Sequence, residues 1–467
     1  MFFKLINVNA ESANFYEAEY IDGIYMSKYQ YSNNTIYYQK ARFFRKSDTG
    51  EAAYCIEPFK FFNEYSTYEP TINPYNLSYE QKVRIERIAH FGYGYKNHLD
   101  AKWYAITQMM IWEAADPSSG SFYFTDTMNG NKIYPYQSEI NEINYLVDSY
   151  DTLPTVNNKS YDIVENQMFI ENGGDIMRYY SSDDNRISIN YTDIVIKDLK
   201  EGEYNFTLYR NDNNYNTPAI FYQSYDSQNL IKTGDLEEKK ASFKIKVYQT
   251  GIKVNKTDEE TGEEKPQGEA ELDGATINVL DKMKHIVRKI TIENSKAYTE
   301  NLPFGIYYLK EISPGKGYNL NENLIEVKIT IDNPKPTVNF PNKVIKKNII
   351  IKKEYGEADN FIPEKNIDFE IYDKNNNLIK TVSTDENGII KTTLPYGTYK
   401  FIQVNSTKNY QKVEPFNIEV NDEIEETIEL KDYKIPVPNT HTNIITKLLF
   451  IITILLLIWK TFYYFYQ

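Results

Sequence analysis

The sequence predicts a mainly β, multidomain protein with one helical insert and an apolar helix near its C-terminus. Three observations support this fold class. Short runs that alternate apolar and polar residues recur along most of the chain, and Gly, Asn and Asp turns separate them. The chain has 467 residues, which exceeds what one hydrophobic core usually supports. An apolar run interrupted by one lysine occupies residues 444–459.

Two groups of strand-like runs precede the middle of the chain. Residues 16–60 alternate like strands, and Cys55 lies late in the last of these runs. Alternation resumes over residues 162–249, where regular spacing and polar turns predict a β-sandwich. We therefore expect a first domain over residues 1–160 and a β-sandwich domain over residues 161–249.

Helical patterns fill the space between these two groups of strands. Ser78 and Gln81 form a capping-box pattern ahead of an apolar-periodic run, which predicts the start of a helix. Asp100 can cap a second helix, and this helix carries Gln108. Apolar spacing predicts a third helix over residues 138–150. The first domain is therefore expected to be α+β.

The last third of the chain contains an internal repeat. A Leu-Pro-aromatic-Gly turn precedes a strand at residues 302–305 and again at residues 394–397. Strand-like runs before and after each turn also correspond. We therefore predict two related β-sandwich domains over residues 250–345 and 346–433. Two copies in tandem before an apolar run indicate a stalk.

Composition and charge exclude several classes of function. The net charge of -14 disfavours binding to nucleic acid or to an anionic lipid surface. The single cysteine, Cys55, cannot form an internal disulfide, so any covalent staple must be of another kind. The four histidines lie far apart and no carboxylate cluster has ligand spacing, so we predict no metal site and no cofactor. These histidines are His90, His98, His285 and His441.

Cys55 and Gln108 are the candidate reactive pair. A thiol held against a carboxamide can displace ammonia and leave an internal thioester, which acylates an amine held beside it. The residues alone leave two alternatives open. Cys55 can be a buried core residue, or it can be the nucleophile of a Cys-His hydrolase with His90 or His98 as the base.

The region around this pair resembles a known family. The Cys55 strand, the helices that follow and the run Thr-Gln-Met-Met-Ile-Trp at residues 107–112 are similar to the thioester domains of Gram-positive surface adhesins. The signature of that family is a Thr-Gln-x-x-Ile-Trp helix, commonly with Ala where this chain has Met110. The resemblance covers residues 16–160 and implies that Cys55 and Gln108 are thioester partners.

Lys256, Glu311 and Asn342 are polar residues on apolar-flanked strands of the first repeat. If they are buried together, desolvation favours a free amine beside a protonated acid, and the amine can attack the asparagine to form an isopeptide. The alternative is three charged or polar side chains on exposed strand faces. The repeats resemble collagen-adhesin B-type domains, which are prealbumin-like sandwiches with Lys-Asn or Lys-Asp bonds. This resemblance implies that Glu311 is the proton shuttle.

The second repeat departs from this pattern at one position. Lys353 and Asp432 align with the lysine and asparagine of the first repeat, but Gln403 stands where Glu311 does. Glutamine cannot carry a proton between the two groups. We therefore expect the second repeat to have the same fold and to lack the bond.

Residues 434–443 form a linker that resembles a sortase sorting motif, Leu-Pro-x-Thr-Gly, ahead of a membrane anchor at residues 444–467. The match is at the proline and threonine, whereas valine and histidine replace leucine and glycine. Attachment to the cell wall and retention by the apolar segment alone are both open. The start of the chain lacks the apolar region of a secretory signal, so we expect an upstream start or a fragment. The motif residues are Val437, Pro438, Asn439, Thr440 and His441.

Together these features predict a cell-surface adhesin that tethers itself covalently, once, to an amine. The expected partner is a lysine of a host or neighbouring-cell protein, and sortase, the cell wall and the membrane are the other expected partners. No enzymatic turnover is expected. Two rival functions remain: a structural, pilus-like surface protein with Cys55 in its core, and a secreted Cys-His hydrolase.

Overall fold

The computed structural model describes residues 10–72, 74–212, 215, 217–436 and 440–465, with backbone only for 440–445. The chain divides into two compact units, residues 1–247 and 248–467. Both units are built mainly from β-strands, which confirms the predicted fold class.

The first unit combines fifteen strands with three α-helices among its described residues. Its strands are β1 (Phe15–Gln30), β2 (Thr35–Lys46), β3 (Ala52–Cys55), β4 (Glu69–Pro70), β5 (Gly120–Thr125), β6 (Lys132–Ile133), β7 (Ser160–Val164), β8 (Phe169–Asn172), β9 (Tyr180–Ser181), β10 (Ile187–Asn190), β11 (Asp193–Ile196), β12 (Gly202–Arg210), β13 (Ile220–Gln223), β14 (Leu230–Lys232) and β15 (Lys240–Tyr248). Its helices are α1 (Tyr79–Phe91), α2 (Ala101–Ala115) and α3 (Gln137–Asp148), with 3₁₀ helices at Pro74–Asn76 and Asp175–Tyr179.

One eight-stranded sheet, in the order β4-β13-β14-β3-β2-β1-β5-β6, packs against α1 and α2, and α3 packs against these two helices. The predicted capping box starts α1, because Ser78 N–H donates to Gln81 Oε1 (3.0 Å) and Gln81 N–H donates to Ser78 Oγ (3.2 Å). Asp100 caps α2 by accepting from the backbone N–H of Lys102 (3.2 Å). All three predicted helices are therefore present.

A smaller β-sandwich completes the first unit and has its own apolar core. One of its sheets has the order β10-β11-β8 and the other has the order β7-β15-β12-β9. The structure differs from the predicted boundary at residue 160, because β13 and β14 belong to the larger sheet. Leu230 and Ile231 of β14 are fully buried in the core of that sheet. Burial of these two apolar side chains stabilises the pairing of β14 with β3.

The second unit contains two sandwiches and a C-terminal helix. The strands of sandwich one are β16 (Lys253–Asp258), β17 (Thr276–Leu280), β18 (Ile286–Thr291), β19 (Lys296–Tyr298), β20 (Gly305–Ser313), β21 (Ile325–Ile329) and β22 (Thr337–Asn342). Those of sandwich two are β23 (Lys346–Glu357), β24 (Asn360–Pro363), β25 (Asp368–Tyr372), β26 (Leu378–Ser383), β27 (Ile389–Pro395), β28 (Gly397–Gln403), β29 (Phe416–Val420) and β30 (Glu426–Tyr433).

The two sandwiches repeat the same topology, as the internal repeat predicts. In each, the first strand pairs in parallel with the last: β16 with β22, and β23 with β30. The second sheets also correspond, with the orders β18-β17-β20-β21 and β26-β25-β28-β29. Each sandwich buries its own core of Ile, Val, Leu, Phe and Tyr side chains.

Helix α4 (Thr440–Phe465) follows sandwich two. Within the described residues, its 20-residue segment Thr446–Phe465 is long and apolar enough to cross a membrane, with a mean hydropathy of 2.0 over an 18-residue window. Three residues of the predicted sorting motif, Val437, Pro438 and Asn439, lie outside the described residues, and Thr440 begins the helix.

Candidate functional site

Cys55 and Gln108 lie against each other in the core of the first unit. The Cys55 N–H donates to Gln108 Oε1 (2.9 Å), and Gln108 Nε2 donates to the Cys55 carbonyl (2.7 Å). On one side of β3, Cys55 is paired with Leu230 of β14. On the other side, the β2 pairing reaches only Ala53. The Gln108 side chain therefore takes the place of a missing strand neighbour and satisfies both backbone groups of Cys55.

The residue before Gln108 fixes a different segment. Thr107 Oγ1 accepts from the backbone N–H of Tyr93 (3.0 Å) and donates to the carbonyl of Trp103 (2.6 Å). The turn that ends α1 approaches this hydroxyl so closely that a Cβ on Gly92 would lie 2.0 Å from it. The Thr-Gln pair thus binds the turn after α1 with one side chain and the Cys55 strand with the next.

Tyr104 provides a further link between α2 and the strands. Its hydroxyl donates to the carbonyl of Ala53 (2.6 Å) and accepts from the backbone N–H of Phe44 (2.9 Å). Tyr104 is fully buried. These bonds and those of Gln108 fix the end of β3 to α2, so the position of the thiol is determined by two elements.

The thiol itself is in contact with Gln228. The Cys55 sulfur lies 2.9 Å from the Glu57 carbonyl oxygen and 2.5 Å from Gln228 Oε1, so its proton can be donated to either oxygen. Burial raises the pKa of Cys55 from its ordinary 9.0 to about 12. The Trp112 indole acts in the opposite direction by favouring the thiolate. At neutral pH the thiol is protonated and shielded from water.

Gln228 is held by an interlocked pair of loops, residues 57–66 and 224–229. Its backbone N–H donates to the carbonyl of Phe61 (3.1 Å), and the N–H of Asn229 donates to Glu57 Oε2 (2.7 Å). The neighbouring Ser227 hydroxyl accepts from the N–H of Asn63 (2.9 Å). Within the described part of the chain, Gln228 Nε2 is buried and has no hydrogen-bond partner. The carboxamide is therefore fixed at its oxygen and free at its nitrogen.

These contacts favour Gln228 over Gln108 as the acyl partner of Cys55. Both polar atoms of the Gln108 amide are occupied by the Cys55 backbone, whereas the sulfur touches the Gln228 carboxamide. The pairing of Cys55 with Gln108 stays a prediction. Sequence reasoning missed Gln228, and the available signal was a glutamine just ahead of the short apolar strand β14.

Both histidines of the rival hydrolase have other partners. The ring nitrogens of His90 face the carbonyls of Gly234 (2.8 Å) and Asp212 (2.9 Å). His98 faces the carbonyl of Phe91 (2.8 Å) and stacks on Trp103. The Cys55 thiol makes its hydrogen bonds to Glu57 and Gln228. Among the described side chains, therefore, none of the histidines is paired with this thiol.

The structure brings Lys256, Glu311 and Asn342 together in the core of sandwich one. Lys256 Nζ lies 2.9 Å from Glu311 Oε1 and contacts Asn342 Oδ1. Asn342 Nδ2 donates to Glu311 Oε2 (2.7 Å). All three side chains are buried, and burial lowers the pKa of Lys256 although the Glu311 charge opposes this. The carboxyl group thus contacts the amine and also the amide nitrogen.

The corresponding residues of sandwich two are also buried together, with one addition. Lys353 contacts Asp432 as the repeat predicts, and Gln403 lies beside Asp432. A second carboxylate, Glu364, pairs with Lys353. Sequence reasoning missed Glu364 because it follows β24, a strand that has no counterpart in the predicted repeat.

Two protein-family models match separate parts of the chain. A thioester-domain family model matches residues 52–152, and a SpaA prealbumin-like fold model matches residues 250–344 and 348–434. The Bacillus anthracis TIE protein is 17% identical over 91% of this chain and 84% of its own, with a TM-score of 0.35.

Two further solved structures are similar to parts of the chain. The thioester domain of the Staphylococcus aureus TIE protein is 18% identical over 51% of this chain and 99% of its own, with a TM-score of 0.38. The minor pilin GBS52 of Streptococcus agalactiae is 16% identical over 41% of this chain and 98% of its own, with a TM-score of 0.22. No curated protein matches the chain.

Proposed function

Because the chain contains a thioester domain and two SpaA prealbumin-like domains, we propose that it is a cell-surface adhesin that binds covalently to an amine through a Cys55 thioester. The observation that carries this proposal is the contact between the Cys55 sulfur and the Gln228 carboxamide inside a buried site. The acceptor is a lysine on a host or neighbouring-cell protein.

Formation of the bond needs no cofactor. Sγ of Cys55 attacks Cδ of Gln228, the C–N bond of the carboxamide breaks, and the thiol proton leaves with the amide nitrogen as ammonia. Departure of this nitrogen breaks no hydrogen bond, because Nε2 of Gln228 has no partner among the described residues. Gln108 and Tyr104 hold the attacking group in place through β3, which is a contribution from orientation.

The thioester then reacts with an amine that approaches the site. The amine nitrogen bonds to Cδ of Gln228, the C–S bond breaks, and one amine proton moves to the sulfur. The Cys55 sulfur is a better leaving group than the amine, so the exchange runs towards the amide. The product is an amide bond to the target and a free, buried thiol. Each molecule therefore reacts once.

Sandwich one supplies a second, permanent bond. The Lys256 amine attacks Cγ of Asn342, Glu311 takes the amine proton, and Nδ2 leaves as ammonia. Glu311 is placed for this transfer because its two oxygens contact the amine and the departing nitrogen. The bond joins β16 to β22, the first and last strands of the sandwich. A stalk closed in this way transmits force without unfolding.

Peptide mapping by mass spectrometry tests the thioester. The peptide that contains Cys55 should be lighter by one ammonia. Methylamine should react with the thioester, which converts Gln228 to its N-methylamide and releases the free Cys55 thiol. Cys55→Ala and Gln228→Met should abolish both signals, whereas Gln223→Met, at an exposed position on β13, should leave them intact. A full-mass protein with a free, titratable Cys55 would contradict the adhesin and favour the structural, pilus-like alternative.

A methylamide on Gln108 would instead retain the adhesin and reassign the partner. Hydrolysis of a reporter ester through many turnovers, dependent on Cys55, would support the hydrolase.

Surface attachment is part of the same proposal. Helix α4 contains a segment, Thr446–Phe465, that can span a membrane. The motif at residues 437–441 precedes this segment in the sequence. Incubation with a sortase and a glycine nucleophile should cleave after Thr440 if the motif is used. An uncleaved chain that stays in the membrane fraction would assign retention to α4 alone.

A further inference from the structure

Sandwich two contains a buried charge cluster that the proposed function does not use. Lys353 Nζ lies 2.6 Å from Asp432 Oδ1 and 2.7 Å from Glu364 Oε2. The side chains of all three residues have no exposed surface. Three buried charges are costly unless the cluster neutralises itself. A reaction that removes these charges would therefore stabilise sandwich two.

The cluster occupies the same place in its sandwich as the Lys256 site. In the parallel pair β16–β22, Lys256 is paired with the residue two before Asn342. In the parallel pair β23–β30, Lys353 is paired with the residue two before Asp432. A lysine amine and a side-chain carbonyl are thus brought into contact by the same strand register in both sandwiches.

The proton carrier is different in sandwich two. Gln403 is the seventh residue of β28, as Glu311 is of β20. Gln403 Nε2 donates to Asp432 Oδ2 (2.7 Å) and to the carbonyl of Asn405 (2.8 Å). An amide can orient and polarise a carboxyl group in this way, but it cannot take a proton from the amine.

Glu364 supplies a carboxyl group from another direction. Its backbone N–H donates to the carbonyl of Lys353 (2.8 Å), which fixes it beside the lysine backbone. Its Oε1 accepts from the N–H of Thr407 (2.8 Å), and its Oε2 faces the lysine amine. The carboxylate is thus held in one orientation, with a single oxygen directed at Lys353.

We propose that Lys353 and Asp432 form an isopeptide bond in sandwich two, with Glu364 as the proton acceptor in place of the residue at the Glu311 position. Burial raises the pKa of Asp432, and the Glu364 charge acts in the same direction. In the proposed reaction Asp432 enters as the neutral acid and Glu364 as the proton acceptor.

The step is balanced within the cluster. Glu364 takes a proton from the ammonium, and the free Nζ attacks Cγ of Asp432, whose carbonyl is oriented by Gln403. The C–OH bond breaks and water leaves. Of the three ammonium protons, one stays on the new amide nitrogen, one departs with the hydroxyl as water, and one remains on Glu364. No other reactant is required.

A peptide map of the wild-type chain tests the bond directly. Digestion should give one branched peptide that contains Lys353 and Asp432 and is lighter than the sum of its parts by one water. The water loss distinguishes this bond from the Lys256 bond and the thioester, which each lose ammonia. Recovery of the two peptides separately at full mass would overturn the proposal, and this result needs no variant to fold.

Variants then assign the proton acceptor. Glu364→Gln should abolish the branched peptide, with circular dichroism used to confirm folding, whereas Glu386→Gln, at an exposed position, should leave it intact. A folded Glu364→Gln chain that forms the bond to the wild-type extent would overturn the role of Glu364. Glu311→Gln should block only the ammonia loss of sandwich one, so failure at that site is separable from failure here.

Discussion

The Cys55 site and the Lys256 site each bury a nucleophile against a carboxamide, yet they differ in the groups around it. At Lys256, Glu311 contacts both the amine and the amide nitrogen. At Cys55, the sulfur contacts a backbone carbonyl and the Gln228 oxygen. An amide is an end product, whereas a thioester keeps a good leaving group. Under the proposed function, the same burial therefore makes one bond permanent and preserves the other for a later amine.

The largest effect is expected from breaking the permanent site. Lys256→Ala removes the proposed crosslink between β16 and β22. It also leaves Glu311 Oε1 buried without its partner, at a further cost of about 1–3 kcal/mol. The unfolding midpoint of a fragment that contains both sandwiches should fall accordingly. Lys253→Ala, at an exposed position on the same strand, is the matched control. An unchanged midpoint would contradict a structural role for the site.

A smaller effect is expected from Gln108→Met. This variant tests whether Gln108 positions the Cys55 strand while Gln228 is the acyl partner. The variant leaves the N–H and carbonyl of Cys55 unpaired, each at a cost of about 1–3 kcal/mol. Because Gln228 remains, the ammonia loss at Cys55 should persist at a reduced rate, and a time course of peptide maps of the Cys55 site would measure it separately from the ammonia loss at Lys256. If a folded Gln108→Met chain never loses ammonia while Gln228→Met does, Gln108 is the acyl partner.

Sequence signals were sufficient where the determinants are local or repeated. Ser78 and Gln81 predicted the start of α1 because a capping box involves only residues three apart. The repeat placed Lys353 and Asp432 together because both sandwiches use one strand register. The sequence motif identified the helix that carries Thr107 and Gln108, but the role of each side chain could be assigned only from its hydrogen bonds.

Two residues could not be assigned from the sequence because tertiary pairing alone positions them. Gln228 is 173 residues from Cys55 and reaches it only because β14 leaves the region of the smaller sandwich and pairs with β3. Glu364 reaches Lys353 through the β23–β24 hairpin, which the alternation pattern did not distinguish from a loop. In both cases the reactive group was recognisable and its partner was not.

Thr107→Val should have a more limited effect than Gln108→Met. It removes one hydroxyl and leaves the N–H of Tyr93 unpaired, at a cost of about 1–3 kcal/mol. The Cys55 strand keeps its bonds to Gln108, so the extent of thioester formation should match the wild type. Chemical denaturation and methylamine capture, measured side by side, check this. Thr107→Ser keeps the hydroxyl and serves as the control; a loss of capture in Thr107→Val would link the turn after α1 to the reactive bond.

The smallest effect on the structure is expected from Gln228→Met, which keeps a side chain of similar size beside Cys55 and removes the amide. The prediction for this variant concerns the titration of the Cys55 thiol. The pKa of Cys55 is raised by burial to about 12, against 9.0 for an ordinary thiol. Because the folded pKa is the higher one, the stability contributed by the protonated thiol is complete below pH 9 and is lost between pH 9 and 12. Below pH 9, iodoacetamide should label the folded chain about a thousandfold more slowly than the urea-unfolded chain, since each pKa unit changes the thiolate fraction about tenfold. Equal labelling rates at pH 8 would show that the site is open to water, and a thioester there would hydrolyse before it met an amine.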